Sequence, residues 1–343
     1  MLDKLAVLGS GAIGSVIGAY LARGGLDITL IDMWPEHVEI MKRNGLKLSA
    51  VEGNFDTKVQ ALNLGELCTV KEQFDAVFLC VKSYDTAWSV KFIEPYLKPT
   101  AVIISAQNGM NDEQIASLIG YTRGIGCIIT LGAGVYEPGH VLRTTAIDKP
   151  AFALGELNGM TTTRVQTLVK LMTHAGKSRI TSNLWGERWS KLTTNSMSNP
   201  VAGLTGLGSA EIRVMDETAT IAIKIARETI IVGRALGIEI EPVNSIPADL
   251  YEQAIEGESM QEVRTRLKDG AGSLREGKPS LLQDVLKGRR TEVDYLNGYV
   301  ALKGHEVGIA TPLNSAITKL IHQVEKGELK PEVSNLKYLE PYL

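Results

Sequence analysis

Lys4-Leu5-Ala6-Val7-Leu8-Gly9-Ser10-Gly11-Ala12-Ile13-Gly14 is an apolar strand run that breaks into three glycines spaced G-x-G-x-x-G and continues as a helical pattern. A chain that does this turns sharply from a buried strand into a helix. Gly9 permits the tight turn, Gly11 lets the backbone approach a pyrophosphate, and Gly14 lets the helix through Ile17 and Leu21 pack on the sheet. The N–H groups of the first helical turn, at Ala12 and Ile13, then face the anion. Asp32 closes the next apolar run, Ile28–Ile31, about 20 residues past the glycines, where a carboxylate accepts from the adenosine ribose hydroxyls and repels a 2′-phosphate. The combination reads as a dinucleotide site that favours NAD over NADP.

A chain of 343 residues exceeds the usual size of one core, which predicts two domains. A net charge of −3 carries no basic footprint for nucleic acid. The chain enters strand pattern at once, without a secretory leader, and no apolar run approaches the roughly 20 residues that span a bilayer. A cytoplasmic protein is expected. Cys68, Cys80 and Cys127 lack metal-ligand spacing and read as reduced core thiols; no metal site is expected.

Along the first half, strand-like runs at Leu5–Leu8, Ile28–Ile31, Ala76–Val81, Ala101–Ser105 and Gly126–Leu131 alternate with helical patterns at Ala12–Arg23, Pro35–Arg43, Tyr84–Tyr96 and Glu113–Leu118. That is the pattern of a parallel sheet covered on both faces. Leu46–Ala61 reads as a strand pair around Glu52-Gly53-Asn54, and Val135–Gly155 as antiparallel strands at the sheet edge. From Leu184 the period is helical almost throughout, with amphipathic stretches at Asp216–Leu236 and Arg289–Lys303. The boundary falls near Ser182-Asn183, giving a dinucleotide-binding domain over 1–182 and a mainly helical domain over 183–343. Gly257–Lys278 reads as a mobile loop or a solvated helix.

Three further clusters carry chemistry. Lys191, Asn195 and Asn199 recur every four residues, so on a helix one ammonium and two amides share a face. Asparagine is a poor choice for a plain helix exterior, which directs this face toward a cleft rather than solvent. Lys82, after the strand ending at Val81, and Asn108, in Gln107-Asn108-Gly109 after the strand ending at Ser105, lie in loops past strand carboxyl ends, beside a bound nicotinamide; turn chemistry accounts for either equally well. In Ser280–Gly298, Ser280 and Thr291 read as helix N-caps, and Glu292, Asp294 and Asn297 begin a helix whose Val293, Leu296 and Val300 turn inward, so a polar group there is buried and needs a partner.

Gly9–Gly14, Val81-Lys82, Gln107-Asn108-Gly109, Lys191 with Asn195 and Asn199-Pro200, and Ser280 through Gly298 occur in the order and approximate spacing of the ketopantoate reductase (2-dehydropantoate 2-reductase) family, which the chain resembles over nearly its whole length. Thr311-Pro312-Leu313-Asn314 resembles the family's closing helix. The resemblance implies a Rossmann domain followed by a helical domain like that of 6-phosphogluconate dehydrogenase, with the active site in the cleft between them. It implies reduction of a 2-keto acid to a 2-hydroxy acid, 2-dehydropantoate to pantoate in pantothenate biosynthesis being the first candidate. Carried over by position, Lys191 resembles the general acid and Glu292 the partner orienting it. Asn108, Asn195, Asn199 and Ser280 resemble substrate binders, with Gly9, Gly11, Ala12, Ile13, Gly14, Asp32, Lys82 and Asn108 toward the cofactor. The resemblance also allows a homodimer.

Two departures bear on specificity. Family habit is NADPH with an arginine or other phosphate-compatible residue near the end of the second strand, whereas this chain has Asp32-Met33-Trp34 there, so NADH and NADPH both stand as cofactors. Extra material over 244–278 precedes the Ser280 motif and leaves open a relative acting on another 2-keto acid. A non-catalytic dinucleotide-sensing protein is the reading from a different class. It needs neither Lys191 nor Glu292.

Overall fold

The computed structural model describes residues 2–272 and 278–343, which divide into two compact units, Met1–Leu184 and Trp185–Leu343. The first contains β1 (Leu5–Leu8), α1 (Ala12–Arg23), β2 (Ile28–Asp32), α2 (Pro35–Asn44), β3 (Leu46–Ala50), β4 (Gly53–Thr57), β5 (Gln60–Asn63), β6 (Phe74–Leu79), α3 (Thr86–Ile93), β7 (Leu97–Ser105), α4 (Asp112–Ile119), β8 (Gly124–Ile129), β9 (Ala133–Glu137), β10 (His140–Arg143), β11 (Pro150–Glu156), α5 (Thr163–Met172) and β12 (Lys177–Ile180). Eight strands form one sheet in the order β12-β11-β8-β7-β6-β1-β2-β5, parallel except where β11 pairs antiparallel with β8. All four residues of β1 are buried, Leu5 and Val7 against one apolar layer and Ala6 and Leu8 against the other, as a central parallel strand requires. This unit is the expected α/β Rossmann domain.

The stretch 135–155 differs from expectation. β9 and β10 form a hairpin around Pro138-Gly139, but they belong to a separate four-stranded sheet, β4-β3-β10-β9, packed against α1. Of this stretch only β11 joins the main sheet, and it is not the edge strand, since β12 pairs with it in parallel and forms the edge. β3 and β4 form the expected strand pair, while β5 leaves it to pair in parallel with β2. Tyr84–Tyr96 is helical only over α3, flanked by 3-10 turns at Ser83–Asp85 and Glu94–Tyr96, the latter holding Pro95. Cys127 is buried, but Cys68 is exposed at a 3-10 turn and is no core thiol.

The second unit is helical: α6 (Leu184–Thr205), α7 (Ser209–Val214), α8 (Asp216–Ala235), α9 (Ala248–Gln253), α10 (Gly257–Ala271), α11 (Ser280–Leu286), α12 (Asn297–Glu306) and α13 (Pro312–Glu325). Its core gathers Val201, Leu204, Ile221, Ile225, Val263, Leu281 and Ile317, among others. The extra segment is not a loop up to its end: α10 buries Met260, Val263 and Leu267 along one face, and only 273–277 of the stretch lie outside the described residues. The helix expected from Arg289 is broken. The Thr291 N–H goes to Glu325 Oε1 (2.6 Å) and the Val293 N–H to Thr291 Oγ1 (3.3 Å), so these donors are spent sideways, and α12 starts only at Asn297. Thr291 therefore closes a local turn onto Val293 rather than capping a helix, and the 3-10 turn Val293–Tyr295 begins after Glu292. Among the described residues, no helix is long and apolar enough to cross a membrane.

Candidate functional site

The chain leaves β1 toward β2 and β5 and later resumes on its other flank with β6, β7 and β8. The carboxyl ends of β1 and β6 are thus the switch point of the sheet, where open α/β sheets hold ligands. The glycine turn sits there. Gly9 has φ +94°, and a side chain on it would meet the backbone of Val81 and Cys80 within 2.8–2.9 Å. That contact draws Val81-Lys82 against the turn. A Cβ on Gly14 would collide with the Gly9 carbonyl oxygen, so the helix approaches the strand as closely as a backbone can. Around Gly11 there is open space. α1 starts there with no side-chain cap and no acid in its first turn, which leaves the N–H groups of Ala12, Ile13 and Gly14 as donors beyond the helix ladder. A pyrophosphate fits the donors and the space.

The neighbouring loops converge on the same edge. Gln107 Nε2 donates to the Val81 carbonyl and to Thr86 Oγ1, both at 2.9 Å. The Asn108 carbonyl accepts from Ser83 Oγ (3.1 Å) and Asn111 Nδ2 (2.7 Å), with Gly109 at φ +76° completing the turn. Lys82 precedes the 3-10 turn at Ser83. Asp32, at the end of β2, accepts the Trp34 N–H on Oδ1 (2.9 Å), which orients its carboxylate. His37 supports the turn from below and was not evident from the sequence. Its Nδ1 accepts the Gly139 N–H (2.8 Å), so Nε2 carries the proton and donates to the Ser10 carbonyl (3.0 Å). Burial holds this imidazole below its ordinary pKa and keeps it neutral.

In the second unit, Lys191, Asn195 and Asn199 all lie on α6. The face they share is not a solvated exterior: Asn195 is 5% and Asn199 7% exposed. Asn199 Nδ2 donates to Ser280 Oγ (3.4 Å), which brings two of the expected substrate binders together. Ser280 is the first residue of α11 rather than its cap, a position Pro279 takes. Glu292 is buried beside Val293 in the same unit. The Lys191 ammonium is held below its usual range by burial and then by the Arg213 guanidinium. Arg213 gave no signal in the sequence.

Pro200 explains how this part of α6 is anchored. Proline has no N–H, so the Ser196 carbonyl, between Asn195 and Asn199, loses its helical donor. Asn297 Nδ2 fills the gap at 3.1 Å and also donates to Asn314 Oδ1 (2.9 Å). Asn314 Nδ2 in turn donates to Glu228 Oε2 (2.8 Å), whose carboxylate receives the Leu313 and Asn314 N–H groups at the start of α13. Burial raises the Glu228 carboxyl, and the helix N-terminus opposes that shift. A buried relay therefore ties α6, α12, α13 and α8 together at the proline.

A dinucleotide turn on a Rossmann sheet followed by a helical unit with a half-buried lysine beside a buried amide face defines an oxidoreductase of the ketopantoate reductase type. The chain belongs to this family: residues 5–159 match the family model "Ketopantoate reductase PanE/ApbA" and residues 183–325 its C-terminal counterpart. It is 30% identical over 325 residues to the 2-dehydropantoate 2-reductase of Pyrococcus horikoshii, covering 94% of this chain and 97% of that one. The crystal structure of 2-dehydropantoate 2-reductase from Geobacter metallireducens is similar at TM-score 0.79 and 26% identity, covering 93% of this chain and 99% of that one. D-mandelate dehydrogenase, solved with NADH and anilino(oxo)acetate, shares the fold at TM-score 0.79 and 23% identity over 94% of this chain and 99% of its own.

Proposed function

We propose that the protein reduces a 2-keto acid to the 2-hydroxy acid, with 2-dehydropantoate the first substrate to test and NADH the preferred cofactor. The observation that carries this is the withdrawal of Asn195 and Asn199 from solvent on the helix face of Lys191, with Asn199 bonded to Ser280. When bound, the dihydronicotinamide supplies a hydride to the carbonyl carbon. As the carbonyl π pair moves onto oxygen, the Lys191 ammonium stabilises the developing charge and transfers its proton there. A lysine held below its ordinary pKa gives up that proton more readily, and an arginine could not do so near neutral pH. Asn195, Asn199 and Ser280 donate to and accept from substrate oxygens without adding charge. Asn108 stands on the first unit with the cofactor residues, and Glu292 orients the substrate from the segment before α12.

The glycine turn, with Gly9, Gly11, Ala12, Ile13 and Gly14, holds the pyrophosphate, and Lys82 lines the adjoining loop. Asp32 supports the preference for NADH, since its carboxylate repels a 2′-phosphate. The α2 cation Lys42 is already engaged by Glu39 (2.9 Å) and Glu66 (2.6 Å). The test is a panel of 2-keto acids, 2-dehydropantoate included, assayed for oxidation of NADH and of NADPH. Turnover of 2-dehydropantoate supports the first substrate, turnover of another member alone reassigns it, and no turnover of any overturns the reductase reading.

A further inference from the structure

Arg213, on α7, lines a small recess together with Asn244, Ser198, Met197, Ile212 and Leu267. Ser198 lies seven residues after Lys191, hence on the same side of α6, so the recess adjoins the lysine and amide face. Its walls are otherwise apolar. Arg213 donates one N–H from Nη2 to Asn244 Oδ1 at 2.9 Å, and among the described residues no carboxylate pairs with it. Asn244 is itself held in place: its Nδ2 rests on Met197 Sδ (3.6 Å), and its backbone and that of Ser245 adopt φ of 51° and 65°. Non-glycine residues keep such angles only where the surroundings enforce them. Tyr251 beside them has its hydroxyl pushed up to about 12 by burial, so it adds no negative charge.

A guanidinium largely withdrawn from water and, among the described residues, without a carboxylate partner is costly, and its planar fork matches a carboxylate. We propose that Arg213, oriented by Asn244, binds a carboxylate of the substrate. This rests on the 2-keto acid reading and adds to it a residue for substrate charge. Asn244 belongs to the extra segment 244–278, so that insertion shapes the recess directly. The lysine and the guanidinium repel each other while the site is empty. A bound carboxylate relieves that repulsion and returns proton affinity to Lys191 until the reduced oxygen takes the proton.

The experiment measures binding of oxamate and of 2-oxoisovalerate to the whole protein with NADH by calorimetry, and KM and kcat for monocarboxylic and dicarboxylic 2-keto acids. It compares wild type, Arg213→Gln, Arg213→Lys and Asn244→Ala. Arg213→Gln weakens oxamate and raises KM by about tenfold or more with NADH affinity little changed, while the limb on which kcat falls with pH moves upward as Lys191 loses its cationic neighbour, and Arg213→Lys keeps part of the affinity. A KM rise for both substrate sets places the carboxylate next to the keto group on Arg213, and a rise confined to dicarboxylic acids places the distal one there. Wild-type affinity in Arg213→Gln overturns the proposal, as does failure of the wild type to bind either ligand. So does loss of binding in both Arg213 variants that is matched by an equal fall in their urea midpoints. If no 2-keto acid is reduced while oxamate affinity still depends on Arg213, the anion site stands and the reductase reading falls.

Discussion

The two candidate surfaces, one in each unit, are built from different materials. In the first unit the ligand-facing surface is largely main chain: Gly9, Gly11 and Gly14 matter for what they lack, and the donors are backbone N–H groups at the start of α1. In the second unit it is made of side chains drawn from separate helices, Lys191, Asn195 and Asn199 from α6, Arg213 from α7 and Ser280 from α11. A main-chain site is robust to most substitutions other than at its glycines. A side-chain site depends on each member and on whatever holds its helices in register.

The largest expected effect lies in the second unit. Lys191→Ala lowers kcat by about a hundredfold to ten-thousandfold, with the NADH dissociation constant unchanged, because the two functions sit on different materials. In the wild type, kcat falls as pH rises through the lysine's folded pKa. That limb lies below the ordinary lysine value, since burial and Arg213 both favour the neutral amine. Steady-state kinetics across pH check both points, and full activity in Lys191→Ala would remove the lysine from the proton transfer.

Next come the glycines, where the comparison predicts opposite outcomes three residues apart. Gly14→Ala forces its methyl into the Gly9 carbonyl and destabilises the fold by about 1–3 kcal/mol in urea titrations. Gly11→Ala has room for its methyl, so stability stays within about 0.5 kcal/mol while NADH binding weakens. Equal stability losses in the two variants would mean that Gly11 serves packing rather than ligand approach.

The relay at Pro200 tests what register is worth. Asn297→Ala leaves the Ser196 carbonyl and Asn314 Oδ1 without their donor, at about 1–3 kcal/mol of stability. Pro200→Ala restores a backbone donor to Ser196, so the same Asn297 change costs less in that background, a coupling a double-mutant cycle reads directly. Strict additivity would show that the asparagine is only packed there. The smallest effect is at Asp32: Asp32→Asn shifts the ratio of NADPH to NADH affinity by about tenfold toward NADPH, measured as two dissociation constants. An unchanged ratio would place the ribose away from β2.

Legibility in the sequence followed the same division. The turn from β1 into α1 could be read from the spacing of three glycines, because each glycine answers a local steric demand. The stripe on α6 was visible for the same reason, since a helix of any environment puts residues four apart on one face. Its withdrawal from solvent could be read from the two asparagines, but not its neighbours, because periodicity does not say what packs against a polar face. Thr291 looked like a helix cap and instead spends its N–H on Glu325, a partner 34 residues away that no local pattern announces. β9 and β10 read as edge strands, since strand propensity is silent about which sheet a strand will join.

The sequence by itself determined the Rossmann turn, the alternation of strands and helices, the change to helical period near residue 184 and the shared face of Lys191, Asn195 and Asn199. These are consequences of short-range sterics and of fixed backbone periods. Only the tertiary structure decided that His37 braces the Ser10 carbonyl, that Asn297 supplies the donor Pro200 removes, and that the Arg213 guanidinium acts on Lys191. Each of these joins residues far apart in the chain, through hydrogen bonds and charge interactions whose strength comes from burial, and burial exists only once the helices and sheets have packed.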